Sequence, residues 1–145
     1  MSYLVIAAII ILDQVSKFLV INQFDLHQSI PVINNIFHIT YVRNYGAAFG
    51  ILKHQKLFFV IMTTIVVIGI IFYIRKQSFV HAMMKYSLSL IVGGAIGNLV
   101  DRLSYGYVID FFDFRVWPVF NIADMAIVIG AIFLCYYLIF IEQTA

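Results

Sequence analysis

Six of the seven acidic residues in this chain are aspartates, and four of them, Asp13, Asp101, Asp110 and Asp124, abut or interrupt long apolar runs. An ionised side chain at a bilayer centre costs ~2.5–3.5 kcal/mol on the insertion scale, so aspartates in such places are expected to be paired, hydrated or functional. Helical spacing groups them with other polar residues: Asn98, Asp101 and Arg102 stand at i, i+3 and i+4, and Asn121 and Asp124 repeat the i, i+3 relation. Two carboxyls brought close together hydrolyse a peptide without metal or covalent intermediate, one ionised as base for a water and the other protonated against the scissile carbonyl. Like charge enforces that asymmetry, because the second proton is hard to remove while the first charge is present. Plainer roles stand beside this one. Asp13 and Lys17, at i, i+4, suit a simple ion pair, and Asp101 with Arg102 suits a helix-end pair that stabilises packing. The four histidines are scattered, and Cys135 is the single cysteine, read as a packing residue inside an apolar run. No metal site or other cofactor is expected.

The elements that must position these residues follow from composition. With 63% hydrophobic and 11% charged residues, against about 25% charged in soluble domains, the chain is a membrane protein. Its 145 residues make one membrane-embedded domain. Residues 3–21, 57–74, 86–100 and 122–141 are the four spans, each read as a helix across a ~30 Å hydrocarbon core. The first reaches full length with Asp13 and Lys17 near one surface and Lys17 snorkelling; it lacks the basic start of a cleavable leader and is read as retained. The short connection from Arg75 to Lys85 holds Arg75, Lys76 and Lys85 and no acid, which places it in the cytoplasm together with both termini. All four aspartates then converge on the outer face. Residues 22–56, with IPVINNIFHITYV and Pro31 at a strand edge or start, predict a small extracytoplasmic β-structure. Gly93, Gly94 and Gly97 give the third span a face for close helix approach. The aromatics of residues 111–120 suit either an interfacial belt or the wall of a lipid groove. A net charge of +2 without a basic stripe excludes nucleic acid as a partner. A small proton- or ion-coupled transporter is the rival reading, but it calls for acids near the midplane and often an internal repeat, and the sequence has neither.

Five segments carry a resemblance: Asp-Gln-Val-Ser-Lys (13–17), Arg-Asn-Tyr-Gly-Ala-Ala-Phe-Gly (43–50), Gly-Gly-Ala-Ile-Gly-Asn-Leu-Val-Asp-Arg-Leu (93–103), Val-Ile-Asp-Phe (108–111) and Phe-Asn-Ile-Ala-Asp (120–124). In order and content they resemble the motifs of prolipoprotein signal peptidase, or signal peptidase II. The resemblance implies four transmembrane helices with a small extracytoplasmic β-structure. It implies an aspartic endopeptidase of the bacterial inner membrane that cuts the signal peptide from diacylglyceryl-modified prolipoproteins, just before the lipidated cysteine. It further implies Asp110 and Asp124 as the catalytic pair, with Asp13, Lys17, Asn44, Gly46, Asn98, Asp101, Arg102 and Asn121 as substrate-binding or supporting residues. No cofactor is implied, and inhibition of the globomycin type is. The chain departs from the pattern at Met125, where many relatives carry Ser or Thr, and in its short stretch from Phe111 to Phe120.

Overall fold

The computed structural model describes residues 2–46, 52, 54–76 and 81–142. Among the described residues four helices are long and apolar enough to cross a membrane: α1 (Ser2–Gln23), α2 (Lys56–Lys76), α3 (Ala82–Ser104) and α4 (Ile122–Tyr136), the last running into a π-helical turn at Tyr137–Ile141. Helix is the solution for such runs because every backbone donor and acceptor is satisfied within the segment. Both prolines, Pro31 and Pro118, fall outside the helices. The third span is longer than its apolar run suggests: it starts at Ala82, where the His81 side chain accepts the Met83 N–H, and continues through Asp101 and Arg102 to Ser104.

α3 is the central helix. Half of its apolar window is buried, against 6% for α2, and it packs on α1, α2 and α4. Its glycines explain the closeness of that packing. A Cβ on Gly93 would meet Ile9 at 3.0 Å, one on Gly94 would meet the Ala123 carbonyl oxygen, and one on Gly97 would meet Asp13 Oδ2 at 2.6 Å. Within the bundle, Ile6, Val67 and Val92 form a buried cluster joining α1, α2 and α3. Most other large apolar side chains point outward, as expected where lipid is the solvent. Cys135 is among the outward-facing residues, so the expectation of a packed cysteine is corrected: it falls on the outer side of α4.

The connections build an antiparallel sheet in the order β1 (Ser29–Ile33), β2 (Phe37–Asn44), β3 (Val108–Asp113). β1 is an edge strand, with Pro31 beside a register shift, as its missing N–H requires. Asn35 makes the hairpin turn at φ 60°, a left-handed conformation that asparagine tolerates. β3 comes from the second long connection, which carried no strand in the sequence reading; it pairs Asp110 with Val42 and Val108 with Asn44. Buried Val20, Tyr41, Ile109 and Phe111 then fasten the sheet to the end of α1. At the opposite end of the bundle Arg75 Nε donates to the Tyr3 hydroxyl at 3.3 Å, and His81 stacks on Tyr137.

Candidate active site

The sheet end of the bundle holds a cavity of about 770 Å³. Asp110, Asp124, Asn44, Asn98, Gly46 and Arg102 line it together with Phe114, Trp117, Val119, Phe120 and Met125. Asp110 arrives on β3, and Asp124 in the first turn of α4. That helix begins with a capping box: Asn121 Oδ1 accepts the Asp124 N–H at 2.9 Å, and Asp124 Oδ2 accepts the Asn121 N–H at 3.3 Å.

Three asparagines hold the two carboxylates, and each has its own amide orientation fixed. Asn44 Oδ1 accepts the Gly46 N–H at 2.9 Å, so its Nδ2 turns to Asp110 Oδ2, also at 2.9 Å. Asn121 Oδ1 is taken by the Asp124 N–H, so its Nδ2 donates to Asp110 Oδ1 at 2.7 Å. Asn98 Oδ1 accepts from Lys17 Nζ at 3.0 Å and from Asn121 Nδ2 at 3.1 Å, which leaves its Nδ2 for Asp124 Oδ1 at 2.7 Å. All four carboxylate oxygens thus accept one bond, and each retains a lone pair for a proton or a water.

Beneath this layer lies a buried charge cluster. Lys17 Nζ stands 2.8 Å from both Asp13 Oδ2 and Asp101 Oδ2, and Lys17 is only 1% exposed. The expected Asp13–Lys17 pair is present, but the expected snorkelling is corrected: two carboxylates and Asn98 hold the ammonium inside the protein. The expected Asp101–Arg102 helix-end pair is corrected too: among the described residues Asp101 pairs with Lys17 instead, and its Oδ2 also accepts the Ile109 N–H at 3.1 Å. Gln14, passed over in the sequence, donates to Asp101 Oδ1 at 2.9 Å, to the Gly97 carbonyl at 3.1 Å and to Asp13 Oδ2 at 3.2 Å. Its position one residue after Asp13 in the first motif was the available signal.

Arg102 donates to the Gly46 carbonyl at 3.2 Å and lies over the Phe59 ring at 4.8 Å, binding the connection after β2 to the cavity rim. Ala47, Ala48, Phe49 and Gly50 of the second motif lie outside the described residues. The candidate residues therefore stand in the cavity wall or in the cluster beneath it, with Asn121 fully buried between the two and bonded to Asn98 and Asp110.

Two aspartates of β3 have opposite environments. Asp110 is 2% exposed; burial first and then the Asp124 charge push its carboxyl up to about 7, against opposing bonds from Asn44 and Asn121. Burial alone would raise Asp113 too, but the Arg115 N–H, the Thr40 hydroxyl and the Arg115 guanidinium hold it below the usual carboxylate range. Asp113 anchors a turn, with Arg115 at φ 65°, and does not line the cavity.

Residues 5–140 match the family described as Signal peptidase (SPase) II. The lipoprotein signal peptidase of Halothermothrix orenii is 47% identical over 138 residues, covering 95% of this chain and 94% of that protein. The lipoprotein signal peptidase of Moorella thermoacetica is 47% identical over 140 residues, covering 96% and 93%. A bacterial membrane enzyme solved by the in meso method superposes with a TM-score of 0.91 at 35% identity, covering 99% of this chain and 89% of that one. With four membrane-spanning helices and matches along nearly its whole length, this chain is a bacterial multi-pass membrane protein that belongs to the signal peptidase II family.

Proposed function

We propose that this protein is an aspartic endopeptidase that removes signal peptides from diacylglyceryl-modified prolipoproteins, cutting just before the lipidated cysteine. The observation that carries the reading is that Asp110 and Asp124, from different elements, line one cavity whose remaining walls are largely apolar. With Asp110 raised to about 7 by burial and by Asp124, the pair holds one shared proton near neutral pH, which we assign to Asp110. Asp124 is then the base that takes a proton from the attacking water. Asp110 donates a hydrogen bond to the scissile carbonyl oxygen, and its proton passes to the leaving amine as the tetrahedral intermediate collapses. The asparagines fix both carboxylates in place so that little reorganisation accompanies the reaction.

The apolar wall supplies the lipid preference. Phe114, Trp117, Phe120, Met125 and Val128 border the dyad, and each acyl methylene buried against such a surface contributes ~0.8 kcal/mol. Met125, one of the departures noted above, lies in this wall and helps set its shape. Arg75 and Lys76 end α2 at the pole away from the sheet, and Tyr3 and Tyr137 share that pole. The positive-inside bias supports a cytoplasmic location for it, with both termini, and an outer-face location for the dyad.

The test is purified protein with a prolipoprotein in its diacylglyceryl-modified and unmodified forms. Cleavage before the modified cysteine, confined to the lipidated form and blocked by a globomycin-type inhibitor, is the expected result. Equal turnover of both forms removes the lipid-wall argument, and proton flux in liposomes without cleavage replaces the peptidase reading with a transporter.

A further inference from the structure

We propose that Lys17 is a positioning residue that sets the spacing of Asp110 and Asp124 by drawing together two carboxylates, each of which grips the backbone amide immediately before one of them. The inference rests on the assignment of Asp110 and Asp124 as the catalytic pair.

The geometry is nearly symmetrical. On one side Lys17 Nζ contacts Asp13 Oδ2 at 2.8 Å, and Asp13 Oδ1 accepts the Ala123 N–H at 2.9 Å. Ala123 precedes Asp124. On the other side Lys17 Nζ contacts Asp101 Oδ2 at 2.8 Å, and the same oxygen accepts the Ile109 N–H at 3.1 Å. Ile109 precedes Asp110. The third contact of the ammonium, with Asn98 Oδ1 at 3.0 Å, turns the Asn98 Nδ2 toward Asp124. One cation on α1 thereby spans β3 and α4, whose own direct link near the dyad runs through Asn121.

The cluster is also too deep to serve as a surface ion pair. Asp13 and Asp101 are fully buried, and a buried ion pair is weak evidence for a stability role, because desolvation offsets most of the attraction. What it supplies is directionality. An ammonium has three donors, and Asp13, Asp101 and Asn98 each take one. Gln14 closes the arrangement by donating to both carboxylates. Gly97 leaves room for it, since any Cβ there would meet Asp13 Oδ2 at 2.6 Å.

The experiment compares Lys17→Met, which keeps the length of the side chain without its charge, with a neutral triple variant carrying Lys17→Met, Asp13→Asn and Asp101→Asn. In the triple variant asparagine oxygens can still accept the Ala123 and Ile109 amides, positions 13 and 101 carry no unpaired carboxylate, and nothing draws the two sides together. A misplacement of catalytic groups by about 1 Å costs on the order of 100-fold, so kcat is expected to fall by about that factor in both variants at equal amounts of folded protein. KM stays within about threefold, because the apolar wall that holds the substrate is untouched. Asp13→Asn is expected to slow turnover on its own and to have little further effect once Lys17 is replaced by Met, since the tie is already cut. Should Lys17→Met fail to fold, the triple variant carries the test. A wild-type kcat in the triple variant, or a loss of turnover that only tracks the loss of folded protein, overturns the proposal. Asp110→Asn and Asp124→Asn run alongside: cleavage by either refutes the dyad, whereas inert dyad variants beside a fully active triple variant refute the tie alone.

Discussion

Replacing Asp110 with Asn is expected to change the sign of its effect on stability as pH rises. In the folded protein burial and the Asp124 charge raise the Asp110 carboxyl from 3.8 to about 7. At about 1.36 kcal/mol per tenfold change in proton affinity, that rise amounts to roughly 4 kcal/mol. The folded carboxyl binds its proton more tightly than the unfolded one, so this stabilisation is complete below about pH 4 and is lost as pH rises to about 7. Asparagine has no proton to lose and lacks the pH-dependent contribution. It introduces a constant cost instead. Both Asp110 oxygens accept amide N–H groups, from Asn44 at 2.9 Å and Asn121 at 2.7 Å, so the amide nitrogen introduced by Asp110→Asn must face one of these donors, at ~1–3 kcal/mol. The variant should therefore be less stable than wild type near pH 4 to 5 and more stable near pH 8 to 9, a range set by the rise from 3.8 to about 7. Thermal or denaturant unfolding of the two purified proteins in detergent across that range measures the difference directly. A difference that stays constant with pH would show that Asp110 does not carry a displaced proton, and would refute the assignment of the shared proton to it.

The same geometry fixes four further outcomes. Asp110→Asn and Asp124→Asn should each nearly abolish cleavage while leaving substrate binding intact, and the double variant should be little worse than either, as for residues that act as one unit; additive losses would separate their roles. Wild-type cleavage should decline on the alkaline side as Asp110 loses its proton near pH 7, with no response to chelators, and a profile flat through that region would remove the proton from the mechanism. Gly97→Ala places a methyl where Asp13 Oδ2 lies 2.6 Å away and should cost ~1–3 kcal/mol together with turnover, whereas Asp113→Asn, outside the cavity, should retain turnover while weakening the turn at Arg115. In a Cys135→Ala background, a cysteine at Gln28 should react with impermeant thiol reagent in intact cells and one at Gln77 should not; the reverse labelling would invert the proposed orientation.

Hydropathy and helical period are local properties, and they were enough to find four spans, to share Asn98, Asp101 and Arg102 along one face, and to bring four aspartates to one end of the bundle. The motifs along the chain were likewise enough to identify the family. Strand β3 was not legible, because Val-Ile-Asp-Phe-Phe-Asp lacks a clean alternation and becomes a strand only by pairing with β2, some 70 positions earlier. Lys17 gives the sharpest case. From sequence its i+4 relation to Asp13 suggests a pair with the cation reaching toward water, and only tertiary packing supplies Asp101 and Asn98, more than 80 residues away, to hold it inside. The amide orientations of Asn44, Asn98 and Asn121 were equally invisible, since each depends on which backbone or ammonium donor occupies its oxygen. The chain determined which residues can ionise and at which end of the bundle they gather. Burial and long-range donors, which exist only in the folded state, decided which aspartates grip backbone amides and pushed the Asp110 carboxyl toward neutrality.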